Sequence, residues 1–487
     1  MATGWNNSST STHDYYDALE QLGYTKTMSE KRVKIYNAIA ENSTLFCRRS
    51  KRKNIDVLIL GSRGEGIGIW GNSDVDMLYV QRCVKCADSY TRSNTMANAP
   101  VLFQLEFENV ESGYTMLRLM SIEYSRNDKQ FIRNIQNALV QKNGYHYLRN
   151  DQVFTAAVDH HREGIARQQF VFDDTTGPAR KIICELPFLD NLSVDRVLAL
   201  PCSSPSIIND WCNRKRMCGW PSKDLLDKVK DLDVFVVPVG VRESVDEVLQ
   251  WRISVTLAEQ TLVHSFSDTQ IKLYAALKML TKHELHPVCE NVSSYVVKNI
   301  IFWMIEETPA EKFTREKFGD CLFHLLKRFK KCVTWRYLPN YMLPSNNMLK
   351  NRIYEKERVE LIYRLDLMIE EGSSVLLRCP LVREMTGVPK EIFQQRIIFL
   401  ELAEQAALSL FCIPPSQFKI LTQRKIIHKS LFYLTVGEIM KIVLKHVFPL
   451  IRRYNPFEYF RHVISMEDDE ILRRLFEGVF LYLQKDE

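Results

Sequence analysis

The sequence has no long apolar run and no apolar segment near its start. Without a run of about 18 apolar residues a membrane-spanning helix is not expected, and no secretory signal is recognised. The 12 cysteines are scattered apart from one close pair, Cys83 and Cys86, and no second pair or histidine motif completes a zinc site. We therefore expect reduced, mostly buried thiols and a cytoplasmic protein.

Internal repeats and low-complexity segments are also missing. Glycine and proline are few, at 18 and 17 of 487 residues, while 46% of the residues are apolar and 25% are charged. This composition indicates a globular chain of two or three domains. The net charge of +6 is modest, so it permits a polyanionic partner without requiring one.

Hydrophobic periodicity predicts an α+β fold followed by an all-α part. Residues 28–49 show apolar residues at helical spacing, "IDVLILGS" and "SDVDMLYV" are typical of buried strands, and residues 177–200 predict further strands. After about residue 255 the pattern is helical. The predicted domains are a flexible N-terminus (1–27), a sheet-containing lobe (28–255), a helical lobe (256–371) and a helical C-terminal extension of undecided role (372–487).

The stretch Gly66-Ile-Gly68-Ile-Trp-Gly71 matches G-x-G-x-x-G, yet its context excludes the two usual interpretations. A dinucleotide-binding fingerprint needs a helix directly after its glycines, whereas "NSDVDMLYV" predicts a strand. A kinase loop needs VAIK, HRD and DFG motifs, and none follows.

Two aspartates offer a third interpretation. Asp74 and Asp76 project from the same face of a strand, because side chains alternate along it. Carboxylates this close repel each other unless a cation lies between them, and Mg²⁺ accepts oxygen ligands while leaving positions for phosphate. Gly61 and Ser62 supply backbone amides and a hydroxyl for a phosphate upstream. The alternative is a polar loop beside a solvated strand face.

Together, "GS…DVD" resembles the signature of the nucleotidyltransferase (polymerase-beta-like) superfamily. "GPARKIICELPFLDNLSVDRVLAL" is similar to the segment of cyclic GMP-AMP synthase and its relatives that carries the third acid, here Asp195. "WPSKDLL", "FVVPVG", "QWRISVTLAEQTLV", "SSYVVKNIIFW" and "LPNYMLPSNNML" resemble further blocks in the same order. The chain thus resembles the cyclic GMP-AMP synthase-like receptors of the male-abnormal (Mab) superfamily over roughly residues 30–370.

This resemblance implies a nucleotidyltransferase lobe with a mixed sheet and a long spine helix. Asp74, Asp76 and Asp195 would be catalytic and would hold Mg²⁺, or Mn²⁺ in its place. The product would be a cyclic dinucleotide, 2′,3′-cyclic GMP-AMP from ATP and GTP, which signals to a STING-type receptor. The implied nucleotide-binding residues are Gly61, Ser62, Arg252, Ser254, Lys278, Ser294 and Tyr295.

The resemblance also bears on the activator. The gap where vertebrate cyclic GMP-AMP synthase carries a zinc-binding insertion reads "HSFSDTQIKLYA", with His264 but no cysteine. Relatives without this insertion resemble sensors of double-stranded RNA, which is recognised by shape and backbone through basic side chains. The candidate RNA-binding residues are Arg48, Arg49, Lys51, Arg52, Lys53, Arg214, Lys215, Arg216, Lys327 and Arg328, with Lys330 and Lys331 beside them.

Three alternatives stay open. Double-stranded DNA or another ligand could be the activator. The chain could be a non-catalytic Mab-superfamily binding or regulatory protein, although all three acids are present. It could also be a nucleotidyltransferase that adds single nucleotides to RNA, which the "WRIS", "SSY" and "NYMLP" blocks argue against by resemblance only.

Overall fold

The structure is a computed structural model. It describes residues 12–49, 54–68, 74–88, 99–125, 128–152, 170–173, 179–184, 192–203 and 206–387. The chain divides into two compact units, Met1–Gly387 and Val388–Glu487, and the described residues all belong to the first. Most of the predicted C-terminal extension, 372–487, therefore lies outside the described residues.

Twelve strands of the first unit form one sheet. They are β1 (Ile55–Leu60), β2 (Val75–Gln81), β3 (Val84–Ala87), β4 (Val101–Glu106), β5 (Tyr114–Ile122), β6 (Leu139–Lys142), β7 (Tyr145–Leu148), β8 (Phe170–Asp173), β9 (Arg180–Cys184), β10 (Leu192–Ser203), β11 (Val234–Val237) and β12 (Gln250–Ser254). The strands predicted around "IDVLILGS", "SDVDMLYV" and residues 177–200 are thus confirmed.

The sheet is mixed, and it closes on itself. Its order is β1-β2-β10-β11-β12-β5-β4-β3, and β3 also pairs with β10. Strand β10 makes this possible because residues 194–199 pair with β2 while residues 200–203 pair with β11 and β3. The α+β class and the mixed sheet are confirmed. The closed topology does not establish the nucleotidyltransferase lobe that the resemblance implies. Local periodicity could not predict this closure, because it depends on which strands pair.

The helices are α1 (Thr12–Gln21), α2 (Lys26–Arg49), α3 (Gly61–Gly64), α4 (Lys129–Asn137), α5 (Ser206–Asn213), α6 (Lys223–Lys230), α7 (Thr256–His264), α8 (Asp268–Leu280), α9 (Ser294–Glu307), α10 (Phe318–Trp335), α11 (Glu355–Glu371) and α12 (Pro380–Gly387). Helix α2 packs against β1, where Oγ1 of Thr44 accepts a hydrogen bond from the backbone N–H of Val57. Tyr36, Ile39 and Ala40 of α2 are buried, and the helix confirms the one predicted at 28–49. Within the described part, the chain after Ser254 is helical, as its pattern predicts.

Helices α8 and α9 lie at the centre of the helical part. Nearly every α8 side chain from Thr269 to Leu280 is buried, and α9 is apolar along most of its length. A helix that is buried on all sides belongs to a core, so a charged residue on it must be paired or functional. Lys272 on α8 and Lys298 on α9 are such residues, whereas Lys278 is the one partly buried residue in that stretch of α8.

The structure differs from the prediction of a flexible N-terminus at 1–27. Residues Thr12–Gln21 form α1, which packs on the helical part, and its Tyr15, Tyr16 and Leu19 are buried. The Tyr16 ring meets Phe318 edge-on with centroids 5.6 Å apart. The segment is polar on average, and its apolar side chains, Tyr15, Tyr16 and Leu19, are recognised as one face of a helix only in the folded structure.

Candidate active site

The structure brings the predicted carboxylates onto neighbouring strands. Strand β2 runs parallel to β10 with Asp76 directly opposite Asp195, and Asp74 lies immediately before β2. Asp76 is the one residue of β2 that is not fully buried, since the strand lies between β1 and β10 and is otherwise enclosed. Asp74 is exposed, and Asp195 is partly buried. The three acids therefore form one polar edge on an apolar sheet.

The electrostatics of this edge are unfavourable for three ionised acids. Burial raises the pKa of Asp76 to about 6, and the neighbouring Asp195 and Asp74 add to the rise, while Lys278 and Lys298 oppose it. Burial and Asp74 also raise the pKa of Asp195, against the pull of Lys181. Such repulsion between neighbouring carboxylates indicates a place where a cation would be stabilised.

The donor set fits a hard divalent cation only in part. Among the described residues, Oδ1 of Asp195 is buried and has no hydrogen-bond partner, which leaves a carboxylate oxygen available as a ligand. No three His, Cys, Asp or Glu side chains in the described part of the chain converge into a complete metal site. Because Mg²⁺ is usually bound by one or two carboxylates plus water and substrate phosphates, these residues suit an ion that arrives with a phosphate ligand.

The turn after β1 fits closely against Asp76. Gly61 has φ +60°, and a Cβ atom built on it would lie 1.8 Å from Oδ2 of Asp76. Leu60 is the register partner of Asp76 across β1 and β2, so the turn begins directly beside the carboxylate. Only glycine fits here, both for its positive φ and for this approach.

Ser62 and Lys278 meet at this turn. The ammonium group of Lys278 donates a hydrogen bond to Oγ of Ser62. Burial lowers the pKa of Lys278 to about 8, Glu65 and Asp76 oppose the shift, and Arg63 adds to it. A hydroxyl and a partly buried cation beside a short helical turn are suited to an anion such as a phosphate. The sequence alone could not reveal this contact, since the two residues are far apart along the chain.

Tyr295 is held by its hydroxyl and presents its ring. The hydroxyl donates to Oε1 of Glu259 at 2.7 Å and accepts from Nδ2 of Asn340 at 2.9 Å, while 38% of the residue stays exposed. Its neighbour Ser294 is exposed at the start of α9. Nζ of Lys298 lies over this ring, 5.7 Å from its centroid. An anchored aromatic ring that stays partly exposed can stack on a planar group.

Two predicted residues lie elsewhere on the sheet. Arg252 and Ser254 are on β12, where they pair with Val237 and Phe235 of β11. Arg252 is exposed, and Ser254 is half-buried. Strand β11 separates them from β10 in the sheet order, so they do not belong to the carboxylate edge itself.

Sequence reasoning missed three buried charged residues next to this site. Glu65 follows α3, Glu259 lies on α7 and Lys298 lies on α9, and the lysine pairs with both acids. Glu259 lies within the "QWRISVTLAEQTLV" block quoted for the resemblance, which was a usable signal. No motif in the sequence pointed to the other two: Glu65 is a charged residue in the glycine-rich stretch, and Lys298 is one in an apolar helix.

Two of the three residues in the predicted basic cluster Arg214–Arg216 point into the protein. Arg214 and Arg216 both pair with Glu306, at 2.6 and 3.1 Å, and the Arg216 side chain is only 6% exposed. Arg214 also stacks on Trp303, with its guanidinium carbon 4.4 Å from the ring centroid. Only Lys215 between them is exposed. The structure therefore uses these two arginines inside the helical core and not on an open basic surface.

A prediction follows for this cluster. Arg216→Met should lower the free energy of unfolding by roughly 3 kcal/mol, because Glu306 would lose a buried partner. Lys215→Met should leave unfolding unchanged, since its side chain is exposed. Urea unfolding of both variants measures this, with titration of duplex RNA alongside. An Arg216→Met chain of wild-type stability that loses RNA affinity would contradict the structural role.

The other predicted basic residues are at the surface or outside the described residues. Arg48, 52% exposed, pairs with Asp56 at 2.6 Å. Lys327 lies over the Phe323 ring, and Arg328 pairs with Glu307. The Arg49 side chain and residues Lys51, Arg52 and Lys53 lie outside the described part. Exposed ion pairs are weak, so Arg48 and Arg328 could exchange their carboxylates for a phosphate.

The cysteines whose side chains the structure describes are free thiols, as expected. Cys86 on β3 is the register partner of Cys202 on β10. Burial raises the pKa of both thiols, which keeps them protonated. In the searched residues no helix is both long and apolar enough to cross a membrane.

Comparison with known proteins gives a partial match. Residues 269–366 match the Mab-21 protein HhH/H2TH-like domain. The chain is 24% identical to Protein mab-21-like 3 of Danio rerio over 152 residues, which are 30% of this chain and 37% of that protein. It is 26% identical to Protein mab-21-like 3 of Xenopus laevis over 107 residues, which are 20% of this chain and 28% of that protein. The chain thus aligns with about a third of these relatives, and the matches support the Mab-21 superfamily.

Proposed function

We propose that the chain is a nucleotidyltransferase that joins ATP and GTP into a cyclic dinucleotide, with double-stranded RNA as activator. The observation that carries the catalytic part is the register of Asp76 and Asp195 beside the Gly61 turn, where Lys278 meets Ser62. The Mab-21 superfamily, which the comparisons support, is related to nucleotidyltransferases. The cyclic product, the signal to a STING-type receptor and the RNA activator rest on the sequence resemblance.

Each residue has a role that its surroundings suit. Ser62 and Lys278 bind the triphosphate, because they place a hydroxyl donor and a cation at the turn after β1. Tyr295, which is partly exposed, stacks on the base. Asp195, whose pKa is raised, accepts the proton of the attacking ribose hydroxyl as its oxygen bonds to the α-phosphorus and pyrophosphate leaves. Mg²⁺ held by Asp74, Asp76 and Asp195 would stabilise charge on the phosphates.

The RNA activator would bind the surface at the end of α2. Arg48 is exposed there, and the sequence continues with four more basic residues through Lys53. Duplex RNA is bound mostly through its backbone, and counterion release makes such binding weaken with salt. Arg214 and Arg216 are excluded from this surface by their pairing with Glu306.

The test of the function is product formation. Purified full-length chain is incubated with labelled ATP, GTP, CTP and UTP plus Mg²⁺, with no nucleic acid, duplex RNA or duplex DNA. We expect a phosphatase-resistant product with duplex RNA, its loss in Asp195→Asn, and its retention in Asp210→Asn, which changes an exposed aspartate. If product forms only with duplex DNA, the activator is DNA and not RNA. No product under any condition, with nucleotide still bound, would favour a non-catalytic protein.

A second prediction concerns the phosphate end of the site. Triphosphate affinity should fall as pH rises from 7 to 9, because the pKa of Lys278 is about 8 and its charge is lost above that value. Lys278→Arg should bind with little dependence on pH in this range, since arginine stays protonated. Lys278→Met should bind at least about tenfold more weakly at pH 7. Calorimetric titration with inorganic tripolyphosphate measures all three, and an equal slope in the arginine variant would contradict the assignment.

A further inference from the structure

A buried charge cluster joins the phosphate-facing turn to the helical part. Nζ of Lys298 lies 2.5 Å from Oε1 of Glu65 and 3.4 Å from Oε2 of Glu259. The side chains are nearly inaccessible, at 10% for the lysine and 2% and 4% for the two acids. Burying three charges is costly unless each is paired, so a cluster of this kind needs a reason beyond stability.

The cluster is fully hydrogen-bonded in spite of its excess negative charge. Tyr274 donates to Oε2 of Glu65 at 3.2 Å, and Tyr295 donates to Oε1 of Glu259 at 2.7 Å. Burial alone would lower the pKa of Lys298, yet the two glutamates raise it well above its ordinary value. The lysine is therefore a permanent cation held between two elements.

The Gly61–Gly64 turn and α9, which Lys298 joins through Glu65, carry the two ends of the candidate site. Glu65 directly follows the Gly61–Gly64 turn, and Tyr295 lies about one turn before Lys298 on α9. The Tyr295 hydroxyl is fixed from the other side by Asn340. A shift of α9 relative to the turn would break the pair of Lys298 with Glu65, and a shift of α9 relative to α7 would break the contacts of Lys298 and Tyr295 with Glu259.

We propose that Lys298 is a positioning residue that locks the Gly61–Gly64 turn and the Tyr295 ring into one unit. The phosphate end and the base end of a bound nucleotide are then held at a fixed separation, although Lys298 touches neither. This inference rests on the proposed function, because it assigns the two ends to one nucleotide. Its consequence is that cutting the bridge weakens nucleotide binding even where the substitution makes the site more positive.

Glu65→Gln distinguishes a positioning role of Lys298 from a simple effect of local charge on triphosphate binding. Removing a negative charge next to Lys278 should tighten binding of a triphosphate if only Coulomb attraction matters. If Lys298 positions the turn, the same substitution loosens it and weakens binding. We expect ATP affinity to fall by about tenfold in Glu65→Gln. ATP titration of the full-length chain by calorimetry, with Mg²⁺ present, measures this difference.

Glu306→Gln is the matched control. Glu306 is also a buried glutamate on α9, with a side chain 7% exposed and paired with Arg214 and Arg216, about three turns beyond Tyr295. It should lower the melting temperature and leave ATP affinity unchanged. If Glu65→Gln does not fold, Glu259→Gln cuts the bridge at its other end, and the same comparison applies. Lys298→Arg, which keeps the charge, should retain most of the affinity.

The outcomes are distinct. Weaker ATP binding in Glu65→Gln, with unchanged binding in Glu306→Gln, supports the positioning role. Equal or tighter binding in Glu65→Gln overturns that role and leaves the proposed function standing. Wild-type chain that binds neither ATP nor tripolyphosphate overturns the proposed function and, with it, this inference.

Discussion

Asp76→Asn is expected to abolish product formation and to stabilise the metal-free chain at the same time. The raised pKa of Asp76, about 6, means that its charge destabilises the fold. The asparagine removes that charge and with it a cation ligand. We expect activity to fall by about a hundredfold or more and the free energy of unfolding to rise by about 1–3 kcal/mol at pH 7.5.

The pH dependence of this gain has a definite sign. Because the folded chain holds the Asp76 proton more tightly than the unfolded chain, wild-type stability falls as pH rises from about 4 to about 6. The gain from asparagine should therefore be small at pH 4 and complete above pH 6. Urea unfolding without divalent ions measures it at both ends, with Asp210→Asn as the control. A variant less stable than wild type at pH 7.5 would contradict the repulsion described for these acids.

Addition of Mg²⁺ with ATP should reverse the ranking of stability. A ligand that binds only the folded chain stabilises it by mass action. Wild type should therefore gain stability from Mg²⁺ with ATP, and Asp76→Asn should gain less. Equal gains would show that Asp76 is not a ligand of the cation.

Gly61→Ala is the second substitution with a large expected effect. The new Cβ would lie 1.8 Å from Oδ2 of Asp76, and the backbone at φ +60° disfavours any side chain. Strain and the forced displacement of Asp76 together should cost about 2–4 kcal/mol of unfolding free energy. Activity should be lost as well, because the clash displaces the Asp76 carboxylate from its place beside Asp195.

Two comparisons make this prediction specific. Gly219 has φ +72° with no atom within 4 Å of a built Cβ, so Gly219→Ala should cost only about 1 kcal/mol of backbone strain and retain activity. Adding Asp76→Ala should raise the stability of Gly61→Ala by more than it raises that of wild type, since in Gly61→Ala it removes the contact as well as the charge, but it should not restore activity. Thermal unfolding and the product assay measure both. If the changes in unfolding free energy of the two single variants simply add up in the double variant, there is no direct clash.

Sequence reasoning reached the parts of the site that lie close together along the chain. The strand pattern on either side of Gly61 and Ser62 is a local feature, and the structure shows it as β1, α3 and β2, with Asp76 in β2 and Asp74 immediately before it. Asp195 came from resemblance, and the structure places it opposite Asp76. Its catalytic role stays a prediction.

Other features depend on residues that meet only through packing. Arg214 and Arg216 have the composition of a basic patch, yet Glu306 and the Trp303 ring draw them into the core. The apolar stripe of α1 became visible only against Phe318. Charge runs carry no information about which acids will lie opposite them, so their exposure could not be read from the sequence.

The sequence by itself determined the α+β class, the long helix before β1 and the glycine turn followed by paired aspartates. These follow from hydrophobic periods and backbone preferences that act over a few residues. Only the tertiary structure decided the closure of the sheet through β10, the contact of Lys278 with Ser62 and the bridge from Glu65 through Lys298 to Glu259. Each of these features joins residues that are distant along the chain. The buried lysines and glutamates are brought together by packing, because a charged side chain in the core must be paired.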